Sequence, residues 1–225
     1  MMPLMYLLLI LAFILSVWAQ FRVKGNFNKW SKVANMNGLT GYEAARRMLD
    51  ANGLYDVPIE PVRGALTDHY DPVHRVVRLS EPVYYESSIA AVSVACHEIG
   101  HAIQHKEHYP MLTLRHKMFP VVNFASGIAP FMLLAGFFFS SLNLIGLGII
   151  FFSAAVAFQL VTLPVEFNAS SRARRVMVEM GFIRNEEERG VAKVLNAAAL
   201  TYVAAALVSL LELLRLIFMF FGNRE

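Results

Sequence analysis

Two histidines four positions apart, with a glutamate beside the first, stand at His97-Glu98-Ile99-Gly100-His101. On a helix, positions i and i+4 project from one face, so both imidazoles can hold one metal ion and Glu98 falls next to it. A catalytic zinc takes three protein ligands and keeps a fourth position open, which makes one Zn2+ per chain the expected cofactor. The chemistry is hydrolytic: the ion activates water and polarises a carbonyl, and Glu98 serves as general base.

The third ligand has three candidates. His105 continues the i, i+4 row, but an unbroken helix places it about 12 Å along the axis from His97, out of reach. His108 comes near the pattern in which a helix breaks at glycine and a third histidine returns to the metal. Here the glycine position is Gln104 and the ligand position is Glu107. The remaining candidate is Glu166, in Leu163-Pro164-Val165-Glu166-Phe167-Asn168-Ala169-Ser170. Pro164 is expected to end an apolar span, and Glu166 to open a new helix just beyond it. The predicted metal ligands are therefore His97, His101 and Glu166.

A developing oxyanion needs a donor besides the metal. His69, Tyr70, Tyr84, Tyr85, Asn168 and Arg172 are candidates for that task or for supporting the ligands, although residues of these types are more often packing or surface residues. Arg172, Arg174 and Arg175 also read together as a basic cluster touching anionic lipid. Cys96, the single cysteine, allows no internal disulfide and reads as a packing residue.

These residues need elements to position them. Thr40-Gly41-Tyr42-Glu43 is a capping box opening a helix that stops at Asn52-Gly53. Residues 57–63 and 73–79 read as short strands around the turn signals Gly64 and Asp71-Pro72, with His69 and Tyr70 on a loop. Glu81-Pro82 breaks the chain, and Ser87 or Ser88 caps the helix that carries His97 and ends before Pro110. Residues 22–38 mix Lys24, Lys29 and Lys32 with Phe27 and Trp30, which suits a headgroup-level segment or a linker.

The composition places this unit against a membrane. Of 225 residues, 56% are hydrophobic and 16% charged, and the mean hydropathy is +0.48. That is too apolar for an ordinary soluble domain. Residues 1–21, 118–165 and 194–211 carry no charged side chain. Since a span takes about 20 apolar residues, four transmembrane helices are expected near 3–21, 119–139, 144–164 and 195–220, with a break at Ser140-Ser141-Leu142-Asn143. No Lys or Arg precedes Arg22, which favours an anchor over a signal peptide for the first. Loop 22–117 holds 12 of the 20 Lys/Arg residues and 165–193 holds 6, while Arg215 and Arg224 are the others. The positive-inside rule puts both loops in the cytoplasm and both termini outside. The net charge of +3 is explained by this topology, and no nucleic-acid partner is expected.

The fold class expected is a mainly α membrane protein with four transmembrane helices and a small cytoplasmic α+β zincin-like domain. Its divisions are an N-terminal span (1–21), a metallopeptidase region (22–117), a transmembrane hairpin (118–164), a cytoplasmic segment with the third ligand (165–194), and a C-terminal span and tail (195–225). Glu212 and Arg215 lie i, i+3 on the last helix as an ion pair near an interface.

The stretches HEIGHAIQH, LTDHYDP (66–72), RLSEPVY (78–84), TLPVEFNAS (162–170) and LNAAALTYVAAAL (195–207) resemble the YugP-like bacterial membrane zinc metallopeptidases, over most of residues 38–215. More distantly the chain is similar to the HtpX and CAAX-prenyl proteases. The resemblance implies a zincin-type peptidase of the bacterial plasma membrane, with the HEIGH pair and the Glu of PVEFNAS as ligands. In the distant relatives an Asp follows that Glu by four residues; here Ser170 stands there, so the usual carboxylate behind a ligand histidine is missing.

Together these readings give a membrane-bound zinc metalloendopeptidase cutting membrane-associated peptide or protein substrates at the cytoplasmic face, in quality control or regulated cleavage. The rivals are an intramembrane protease and a catalytically silent zinc-binding scaffold or adaptor. Partners beyond the bilayer and substrates, including a homo-oligomer, are left open by the sequence.

Overall fold

The computed structural model describes residues 2–222; the tail with Arg224 lies outside the described residues. In chain order the elements are α1 (Met2–Trp30), α2 (Gly41–Ala51), β1 (Ile59–Val62), β2 (His69–Asp71), β3 (Val76–Ser80), α3 (Glu81–Tyr85), α4 (Ile89–Lys106), α5 (Pro110–Phe138), α6 (Leu142–Glu179) and α7 (Asn185–Gly222). The chain is mainly helical, with one small sheet. It forms two compact units: residues 2–19, 110–164 and 201–222 make one, and residues 20–109 and 165–200 the other.

The first unit is built from apolar helix. Among the described residues four helices, α1, α5, α6 and α7, are long and apolar enough to cross a membrane. Their large side chains point outward: Phe13, Phe124 and Phe138 are 64%, 62% and 83% exposed, an arrangement that water would penalise and hydrocarbon would not. The turn between α5 and α6 forms where expected, with Ser140 in the left-handed region and the Ser141 N–H bonded to the Gly136 carbonyl at 2.8 Å. Arg215 donates from Nε to Glu212 Oε2 at 2.9 Å, and its guanidinium lies 5.8 Å from the Tyr6 ring centre. The charge pair is thus neutralised within the unit, as ionisable groups in an apolar helix must be.

The sequence reading ended one helix at Pro164 and opened another at Glu166. Instead α6 runs unbroken from Leu142 to Glu179, with Pro164 inside it. Proline deletes one hydrogen bond and crowds the carbonyl four residues back, but ending a helix orphans several carbonyls at once. In an apolar setting the second cost is larger, so the helix continues. The same balance keeps Pro120 and Pro130 inside α5.

The second unit folds around α4. Ser88 caps it by accepting from the Ala91 N–H at 3.1 Å, and nearly every residue from Ile89 to Gln104 is buried. Its many small residues let neighbours close in on all sides. The core comprises Met48 and Leu49 of α2, Val77 and Leu79 of β3, Ile99 of α4, Ala173 and Met177 of α6, and Val191 and Leu195 of α7. Burying each large apolar side chain stabilises the unit by about 1.5–3 kcal/mol.

Several local expectations change here. The loop expected at His69-Tyr70 is strand β2. The sheet order is β1-β3-β2, with β1 parallel and β2 antiparallel to β3. At three residues β2 is too short for alternation to reveal, and buried β3 supplies its ladder. Glu81-Pro82 starts the helical turn α3 rather than only breaking the chain, because proline in a first turn forfeits no hydrogen bond. Residues 22–30, read as linker or headgroup segment, continue α1.

The capping box opens α2 as its spacing requires: Thr40 Oγ1 accepts from the Glu43 N–H at 3.1 Å, and Glu43 Oε2 from the Thr40 N–H at 2.8 Å. The next residue, Gly41, lies directly under the backbone of α3, where a Cβ would overlap the Val83 carbonyl oxygen. Alanine is the better helix former by about 1 kcal/mol, but overpacking against immovable backbone costs about 1–3 kcal/mol. Gly41→Ala is therefore expected to lower the thermal midpoint of the purified protein; an unchanged or higher midpoint would contradict the close approach.

Candidate metal centre

His97 and His101 lie one turn apart on α4, their rings edge-to-face with centres 4.8 Å apart. Glu166, on α6, brings Oε2 to 3.3 Å from His97 Nε2 and 3.6 Å from His101 Nε2. Among the described residues these three form a group that could hold a metal ion, with one ligand atom from each lying within 4.8 Å of the others. The side chains are 14%, 11% and 4% exposed in the order His97, His101, Glu166, so the cluster is sunk in the protein yet open on the histidine side. The donor set fits zinc: two imidazole nitrogens and a carboxylate oxygen meet, and each imidazole turns its other nitrogen toward a partner.

Those partners come from side chains that the sequence reading had not assigned to the histidines. His97 Nδ1 lies 3.1 Å from Ser170 Oγ, and His101 Nδ1 lies 3.0 Å from Gln104 Oε1. Ser170 occupies the position where the distant relatives place Asp. Gln104 was weighed only as a misfit to the glycine of another motif; its place three residues after His101 on one helix face was the available signal.

Glu98 points from α4 toward β2, where its Oε2 accepts from the Tyr70 N–H at 3.0 Å. Burial raises its pKa to about 7, with the nearby Glu166 and Asp68 carboxylates adding to the rise and His97 opposing it. A carboxyl poised there is suited to exchange protons near neutrality. Asp68 anchors the start of β2 by accepting from Ser80 N–H and Oγ–H at 2.7 and 3.0 Å, and burial raises its own pKa.

The other candidates are spread more widely. The Tyr70 hydroxyl is 2.8 Å from His105 Nδ1, while His69 is exposed with Nδ1 2.8 Å from the Thr67 carbonyl. Tyr84 stacks on Tyr42, and Tyr85 packs edge-on against Tyr84. Asn168 and Arg172 bond each other at 2.7 Å, within two turns of Glu166 along α6. Arg174 pairs with Glu188 at 2.9 Å.

Gly100, inside the motif, decides how closely α6 approaches. A Cβ there would lie 2.7 Å from the Ala169 carbonyl oxygen, so only glycine lets the two helices touch where Glu166 must reach the histidines. Gly100→Ala is expected to destabilise the protein by about 1–3 kcal/mol and to weaken metal binding. Calorimetry with and without added zinc checks both; wild-type affinity would show that the helix spacing is not critical.

The family model described as "Putative neutral zinc metallopeptidase" matches residues 5–221. The "Putative membrane protease YugP" of Bacillus subtilis (strain 168) is 71% identical over 211 residues, covering 94% of each chain. No solved structure matches. The four apolar helices agree with the membrane location in that relative's name, and the His97–His101–Glu166 cluster with the metal in the family's. The chain belongs to the neutral zinc metallopeptidase family so described.

Proposed function

We propose that the protein is a multi-pass membrane metalloendopeptidase with one zinc held by His97, His101 and Glu166 and with Glu98 as general base. The observation that carries this reading is the meeting of three metal-donor atoms from two distant helices beside a buried carboxylate on the motif helix. When bound, zinc supplies Lewis acidity, polarising the scissile carbonyl and making water a nucleophile at neutral pH. Glu98 takes the proton from the attacking water and delivers it to the leaving amine. The Tyr70 N–H fixes one carboxylate oxygen, which holds the other in a set direction for that transfer.

The second unit is read as a zincin-like domain on the cytoplasmic side, from the Lys/Arg excess in residues 22–117 and 165–193. Because Glu166 follows the uncharged run 118–165 directly, the site is placed close to the lipid headgroups. Membrane proteins, or chains brought to the membrane, are then the substrates, consistent with quality control or regulated cleavage. A silent zinc-binding scaffold is the rival, and Glu98 speaks against it, since a structural site has no use for a buried base and closes its fourth position with a residue.

Zinc stoichiometry and turnover of an unfolded or membrane-tethered polypeptide, measured on the full chain in one preparation, test the proposal. One zinc per chain with metal-dependent cleavage is expected. One zinc with no cleavage of any such substrate would favour the scaffold.

A further inference from the structure

Behind His101 lies a chain of polar side chains whose donor and acceptor roles can be read in one direction only. It begins at Arg172, whose Nη1 is 2.6 Å from Glu107 Oε2 and whose Nε donates to Asn168 Oδ1 at 2.7 Å. A guanidinium has donors and no acceptor, so the Asn168 atom facing it must be the oxygen. That same oxygen accepts from Gln104 Nε2 at 2.9 Å. Gln104 Nε2 also donates to the Val165 carbonyl at 2.8 Å. Two acceptors that cannot donate thus fix which end of the Gln104 amide faces them, and its oxygen is left facing His101 Nδ1 at 3.0 Å. An amide oxygen only accepts, so His101 must carry its proton on Nδ1.

We infer that Gln104, Asn168 and Arg172 are positioning residues that hold His101 in the tautomer whose Nε2 lone pair is free for the metal. The inference rests on the reading of His101 as a zinc ligand. Gln104 is fully buried, where an amide without fixed partners would be costly, so the relay is held together by the same bonds that orient it. The two ligand histidines differ in this respect. His97 Nδ1 faces the Ser170 hydroxyl, which can donate or accept and dictates no tautomer. The relay also gives a role to Glu107, which anchors the Arg172 end from just beyond α4.

The test uses zinc affinity of the full-length protein in detergent, by chelator competition, with the melting of the zinc-free form as control. Asn168→Leu removes the shared acceptor and is expected to weaken zinc binding about 10–100-fold, while zinc-free melting falls only modestly because the Val165 carbonyl still accepts from Gln104 and Glu107 still pairs with Arg172. Asn168→Asp still accepts from both neighbours and is expected to bind zinc no more weakly than wild type. Wild-type affinity in Asn168→Leu, or equal weakening in both variants, would overturn the relay. Should Asn168→Leu not fold, Gln104→Met, which keeps the volume and removes the acceptor, must show the same loss; unchanged affinity there overturns the inference equally. Zinc affinity reads the relay and peptide turnover reads the peptidase assignment, so each can fail without the other.

Discussion

Glu98→Gln is expected to keep one zinc per chain and to lose about 10²–10⁴-fold in peptide turnover, the usual worth of a positioned general base. Glutamine retains the shape and the acceptor for the Tyr70 N–H but cannot take a proton. The same variant has a second expected effect, on the metal-free protein. Burial raises the Glu98 pKa from 4.5 to about 7. A raised folded-state value means that the native protein disfavours the carboxylate. Below pH 4.5 the group is neutral in both states and costs nothing; as pH rises toward 7 and beyond, folding must increasingly forfeit its ionisation. A shift of this size corresponds to stability on the order of 3 kcal/mol, which glutamine would restore. Chelator-treated Glu98→Gln should therefore melt above chelator-treated wild type at pH 8 and converge with it near pH 4. Wild-type turnover would remove Glu98 from the mechanism, and a lower melting point at pH 8 would contradict the burial argument.

The other large effect is expected at Glu166. Glu166→Ala removes the one negatively charged donor of the cluster, so zinc affinity should fall by more than the roughly 10–100-fold typical of a lost supporting residue, and turnover should fall with it. The variant should also lose the zinc dependence of its thermal midpoint. A ligand present at a thousand times its dissociation constant adds about 4 kcal/mol to folding, and a protein that no longer binds it gains nothing. Titrating zinc during melting separates the outcomes: a midpoint that climbs with zinc as in wild type would mean that the metal is held elsewhere.

The sequence made some features readable because they are local. The i, i+4 spacing of His97 and His101 needs only helical geometry, and the Thr40–Glu43 box only a first turn. Three uncharged stretches, the middle one long enough for two spans, announce four apolar helices, and the quoted motifs were specific enough to indicate the family. Glu166 could be singled out because the rise of a helix excludes His105, and Gln104 and Glu107 stand where a pattern using His108 needs glycine and the ligand. What stayed hidden depends on tertiary context. Strand β2 exists because β3 offers it a ladder. The continuity of α6 through Pro164 is a balance of costs that depends on its surroundings. Gln104 looked like a misfit to one motif until α6 supplied Val165 and Asn168 as partners, and nothing within the motif marks Gly100 until the Ala169 backbone lies against it. In each case the deciding neighbour comes from outside the local motif.

That separation has a consequence for biogenesis. His97 and Ser170 are 73 residues apart in the chain, and the whole of α5 and most of the apolar part of α6 are made between them. During synthesis the motif helix emerges first, as a pair of histidines without their carboxylate. Gly100 then has no backbone to touch, and Gln104 has no acceptors for its amide. Only when α6 has been made beyond its uncharged part do Val165, Glu166, Asn168 and Ser170 arrive together. The proposed metal centre is thus assembled late and in one step, and a nascent chain stalled before that point carries no complete set of the three donors. For an enzyme that would attack unfolded polypeptide, this order of assembly protects the chain being made from its own chemistry.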